Sequence, residues 1–108
     1  MIEQRRTKRF ELSLPLEVVR AGANRVSHVG HTRNISSGGV LFTSANRMEI
    51  GGPVEYVITL SSGHSGDVNL RCMGKVLRIE EDGQTGMEPF IVAASLERYE
   101  FLRSRSFF

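Results

Sequence analysis

The chain holds a single cysteine, Cys72, among 108 residues, so an internal disulfide is excluded and a cysteine-rich zinc site with it. Cys72 lies in a strand-like run and reads as a small buried hydrophobe. A reducing compartment is its natural setting, and a cytoplasmic location is expected. No apolar stretch approaches the ~20 residues that a membrane-spanning helix needs. The opening Met-Ile-Glu-Gln-Arg-Arg has no apolar core of the kind a secretory signal carries. A large excess of charge of one sign is missing too, because the formal net charge is only +2. No nucleophile stands with a partner base, no phosphate-binding glycine loop precedes a helix, and no cofactor fingerprint occurs. An enzyme is therefore not expected, and neither is a cofactor or a metal.

What charge there is sits unevenly. Arg5, Arg6, Lys8 and Arg9 face only Glu3 in the first nine residues, a formal +3, which leaves −1 for the other 99. General nucleic-acid binders spread positive charge over a face. A near-neutral body with a short basic arm suits a small anion better, and no DNA or RNA partner is expected. Aromatic platforms for single strands are not evident either. Phe10, Phe42, Tyr56 and Phe90 fall on the apolar phase and are expected to be buried.

Alternation of period two dominates the body. Phe10, Leu12, Leu14, Leu16 and Val18 form one run, interrupted by Pro15, which suggests an edge strand or a bulge. Val54, Tyr56, Ile58 and Leu60 form another. Val68, Leu70 and Cys72 follow, then Phe90, Val92, Ala94 and Leu96. Turn chemistry separates the runs at Ala21 to Asn24, Ser37 to Gly39, Gly51 to Pro53, Ser61 to Gly66 and Glu81 to Gly86. About six short strands favour an all-β fold, an antiparallel barrel closed or nearly so, which also removes exposed sheet edges. Only the end reads as helical. Ser95 is placed to cap a helix, Glu97 stands in its first turn, and Arg103 and Arg105 stand near its end. Phe101 and Leu102 would pack on the barrel mouth, while Phe107 and Phe108 are assigned no role. Met73 and Met87 read as core filler. The expected layout is one domain over 1–108, with a basic arm at 1–9, a barrel at 10–96 and a helix at 97–106.

Two motifs remain. Arg5, Arg6 and Arg9 make an RxxxR pattern, and Asn34-Ile-Ser36-Ser-Gly38-Gly39 makes an NxSxxG pattern ahead of an apolar run. In this order and separation they resemble the signature of the PilZ domain family, bacterial receptors for cyclic di-GMP, from about Gln4 to the last helix-like segment, nearly the whole chain. The resemblance implies a six-stranded antiparallel β-barrel with a C-terminal α-helix and an arm that closes over the dinucleotide. It implies ligand contacts from Arg5, Arg6 and Arg9 and from Asn34, Ser36, Gly38 and Gly39. The chemistry agrees with those residue types. A guanidinium forks onto phosphate oxygens or onto guanine O6 and N7. Asn34 and Ser36, two apart on a strand, share a face and offer oxygens to guanine N–H groups. Gly38 and Gly39 allow a sharp turn and a close approach, and Ile35 points to the core.

Read alone, Asn34, Ser36 and the glycines also fit an ordinary hairpin turn, and the upstream arginines tip the reading to a ligand surface. Arg33, Arg71 and Lys75 would extend the basic surface or simply be solvated. His28 and His31 would face opposite sides of a strand, and Gly63 to Asp67 is a polar turn that holds no catalytic triad. The expected function is a cytoplasmic cyclic di-GMP receptor, a monomer or weak homodimer, that switches an unidentified effector protein. The alternative is an adaptor of the same fold that binds no nucleotide.

Overall fold

The computed structural model describes residues 10–64, 66–81 and 86–103. Seven strands lie there: β1 (Pro15–Ala21), β2 (Asn24–Ile35), β3 (Gly39–Ser44), β4 (Pro53–Ser61), β5 (Val68–Glu81), β6 (Phe90–Ser95) and β7 (Arg98–Arg103). All pairings are antiparallel. The ring runs β1-β2-β3-β6-β5-β4, and the contact of β4 with β1 closes it, so six strands form the barrel and β7 is an extra strand on β5.

Alternating patterning explains the closure. The even-numbered residues Leu16, Val18, Val40, Phe42, Val54, Tyr56, Ile58, Cys72, Val76, Val92 and Ala94 are buried and fill the interior. The Phe42 and Tyr56 rings meet at 5.5 Å, tilted by 35°. The Tyr56 hydroxyl donates to the Ser95 carbonyl at 3.1 Å, which satisfies a phenol that burial pushes well above its ordinary pKa. Burial likewise pushes the Cys72 thiol up to about 12. Neither group is poised for chemistry.

Three expectations need correction. The helix over 97–106 is replaced by β7 as far as Arg103, and Ser104 to Ser106 lie outside the described residues, as do Phe107 and Phe108. Ser95, read as a helix cap, instead sits where β6 passes into β7. Its Oγ accepts from the Lys75 N–H and donates to Glu97, and the Glu97 N–H donates to the Met73 carbonyl. The chain therefore continues along β5, with β6 on its Val76–Glu81 half and β7 on its Val68–Met73 half. Gly74 lets the strands cross at this junction, since a Cβ there would stand 1.9 Å from the Ser95 carbonyl oxygen.

Secondly, Phe10 and Leu12 are exposed, and β1 begins only at Pro15. Proline is tolerated as the first residue of a strand, where its missing N–H interrupts no ladder. Thirdly, Met87 is exposed outside the strands rather than packed in the core.

Candidate functional site

The Asn34–Gly39 segment forms the β2–β3 hairpin. A register shift between Thr32 and Asn34 makes Arg33 a bulge, after which Asn34 pairs with Leu41 and Ile35 with Val40. The Ser36 N–H donates to the Gly39 carbonyl at 2.9 Å, and the Ser36 Oγ donates to the same oxygen at 3.2 Å. The Gly38 N–H points at that Oγ from 3.4 Å. Serine thus serves the turn first and retains an acceptor lone pair for a ligand N–H. The tip is held from the other side as well, because the Leu96 N–H donates to the Gly38 carbonyl. A Cβ on Gly39 would come within 2.9 Å of the Ala94 carbonyl oxygen, whereas one on Gly38 would meet nothing within 4 Å.

The root of the arginine arm lies on this hairpin. Phe10 and Ile35 exchange two backbone hydrogen bonds, each 2.9 Å, between N–H and carbonyl. Thr32 pins the next residues by donating its Oγ1 to the Leu12 carbonyl, accepting the Leu14 N–H at 2.9 Å, and donating its own N–H to the Leu14 carbonyl. Arg5, Arg6 and Arg9 lie outside the described residues.

Asn34, Ser36, Gly38 and Gly39 line one concavity of about 290 Å³ on the outside of the barrel, together with Leu77 and Arg78. Arg78 is a basic neighbour that the periodicity hid. It is in phase with buried Cys72 and Val76, which would send it inward, but a register shift between Val76 and Arg78 turns it out. Its Nε lies 3.3 Å from Glu80 Oε2, and both side chains are more than half exposed. Such a pair is weak enough to exchange for a stronger anion. Arg71 is less available, being hydrogen-bonded to both Glu55 and Glu100.

A second concavity, of about 830 Å³, shares Asn34 and Leu41 with the first and is walled by Glu11, Leu12, Ser13, His31 and Arg33 among others. At its edge the His31 Nδ1–H donates to Glu88 at 3.0 Å and the Thr43 Oγ1 at 2.6 Å. Partial burial works to raise the Glu88 carboxyl pKa, but these hydrogen bonds and the nearby imidazole outweigh it and hold the group below its ordinary value. A third, apolar groove at the barrel end is lined by Phe10, Ile35, Leu70, Leu96, Tyr99 and Phe101. Tyr99 and Phe101 meet edge to face at 6.2 Å there.

Among the described residues the surface therefore offers a polar hairpin with close backbone approach and, lining the same concavity from β5, the basic Arg78. The family model described as PilZ domain matches residues 3–99. No curated protein matches. Among solved structures, the Bacillus subtilis inhibitor of motility (MotI/DgrA) is similar in fold, with a TM-score of 0.66 at 18% identity, covering 92% of this chain and 44% of that one. The chain thus spans less than half the length of that protein.

Proposed function

The chain belongs to the PilZ domain family of cyclic di-GMP receptors, and we propose that it binds this dinucleotide between its N-terminal arginines and the Asn34–Gly39 hairpin. The observation that carries the reading is the root of the arm. Phe10 is hydrogen-bonded to Ile35, between Asn34 and Ser36, so Arg9 begins one residue from the polar patch it would close over. An arm rooted at the far end of the barrel would have no such reach.

Each part then has a task. Arg5 and Arg9, with Arg6 assisting, fork onto the two phosphates or the O6 and N7 edge of guanine. Asn34 and Ser36 accept from guanine N–H groups, and Gly38 leaves room for the ligand against the backbone. Arg78 adds charge from β5. The ligand acts as a switch because the contacts of the arm exist only in the bound state, and a ligand shifts an equilibrium only through such differential contacts. The rearranged arm presents a new surface to an effector partner, so the domain transmits a signal and does not catalyse.

Calorimetric titration with cyclic di-GMP, cyclic di-AMP and GMP tests this. Cyclic di-GMP should bind selectly over the other two, and Arg9→Ala should weaken it at least ~10-fold, the loss of one forked contact, with the circular dichroism of the barrel unchanged. No heat at micromolar protein would favour the nucleotide-free adaptor of the same fold.

A further inference from the structure

Resting on the ligand reading above, we propose that Glu11 reads the Watson–Crick edge of one guanine of the dinucleotide, and so sets the preference for guanine over adenine. The concavity around the hairpin holds about 290 Å³, at the lower end of the ~300–1,000 Å³ that small-molecule sites enclose. A ligand with two purines, two riboses and two phosphates does not fit there alone. The adjoining concavity of about 830 Å³ has Asn34 and Leu41 in common with it, so a dinucleotide anchored at the hairpin has further space within reach across these two residues.

The walls of that second space suit a base. Leu12 and Leu41 supply apolar surface for the faces of the ring, and Glu11 stands beside Leu12. Among the described residues the Glu11 carboxylate has no hydrogen bond or ion pair. Its backbone is nevertheless fixed on both sides, by the bridge from Phe10 to Ile35 and by the bond from Thr32 to the Leu12 carbonyl. A carboxylate is a pure acceptor with two oxygens. Guanine N1–H and N2–H form a matching pair of donors. Adenine presents an acceptor at N1 and has no amino group at C2, so the same carboxylate loses one bond and faces a lone pair with the other oxygen. Sites built around such a hydrogen-bond pattern reject the analogue that cannot complete it.

Glu11 also repels the two phosphates, but by an equal amount for either dinucleotide, so the effect cancels in a ratio of affinities. The test is therefore the ratio of dissociation constants for cyclic di-AMP and cyclic di-GMP in the full chain and in Glu11→Ala and Glu11→Gln. Glu11 is exposed, so both variants should fold, as thermal melts would verify. The ratio is expected to shrink by about 10- to 100-fold in Glu11→Ala, the discrimination of a bidentate base contact, and by less in Glu11→Gln, which keeps one acceptor. Binding of cyclic di-GMP by the unaltered chain with the same ratio in both variants would overturn this assignment alone. Failure of the unaltered chain to bind would remove both this assignment and the reading beneath it.

Discussion

Gly38 and Gly39 stand side by side in the hairpin and should respond in opposite ways to an added methyl group. At Gly39 the new Cβ would lie 2.9 Å from the Ala94 carbonyl oxygen, which belongs to the backbone of β6 and cannot swing away. The β3–β6 ladder must spread, and overpacking of this kind costs about 1–3 kcal/mol. At Gly38 the Cβ meets nothing within 4 Å, and its φ is not among the positive ones, which among the described residues are those of Gly22, Gly51 and Gly66. Alanine there restricts the unfolded chain and should leave stability unchanged or raise it by up to about 1 kcal/mol. Urea denaturation followed by circular dichroism separates the two through the midpoint, provided the slope is unchanged. The ligand site reverses the order. Gly38 lines the hairpin concavity, so Gly38→Ala should keep its stability yet lose roughly 10-fold in cyclic di-GMP affinity, about 1.4 kcal/mol. A Gly39→Ala midpoint equal to that of the unaltered protein would refute the packing argument. A Gly38→Ala variant destabilised as much as Gly39→Ala would refute the claim that this side is open, and unchanged cyclic di-GMP affinity in Gly38→Ala would refute the claim that it serves a ligand.

Other consequences are simpler. Tyr56→Phe removes the bond to the Ser95 carbonyl and should cost about 1 kcal/mol, read as a lowered melting temperature. The Cys72 thiol, fully buried and with its pKa pushed up to about 12, should resist thiol reagents at neutral pH until the barrel unfolds; rapid labelling of the native protein would contradict its burial. The Glu88 carboxyl is held below its ordinary value near 4.5. Its stabilisation is therefore full above that value and is lost as pH falls through the lower folded one. Glu88→Gln should flatten the acid limb of the stability profile, and an unchanged limb would count against the His31 and Thr43 bonds.

Much of this architecture was legible because a barrel wall repeats every two residues. The buried positions of β4 and β6 follow directly from Val54, Tyr56, Ile58, Val92 and Ala94 in alternation. The end of the chain was misread because Ser95 and Glu97 satisfy local rules for a helix start, while the long-range demand of β5 for a neighbour along Val68–Met73 prevails. Phe10 and Leu12 were misread for a related reason: their alternation continues that of β1, yet they lie before Pro15, beside the end of β2, with their side chains exposed. Bulges account for the residue that was missed. Arg78 shares the phase of the core, and only a register shift, which leaves no compositional trace, brings it to the surface. Within the site, the pairing of arginine arm and hairpin motif was readable as a family resemblance. A turn role for Ser36 was legible as well; the bonds that make it, to the Gly39 carbonyl and from the Gly38 N–H, were not.

The central claim is that arm and hairpin grip one ligand together. Amide chemical-shift mapping of the full chain during titration with cyclic di-GMP tests it most directly. The shifts are expected to concentrate in residues 5–11, Asn34 to Gly39 and Arg78, with the arm amides gaining protection from exchange. Saturable binding whose shifts gather around Gly22 and Gly51, leaving the hairpin and the arm unmoved, would contradict it.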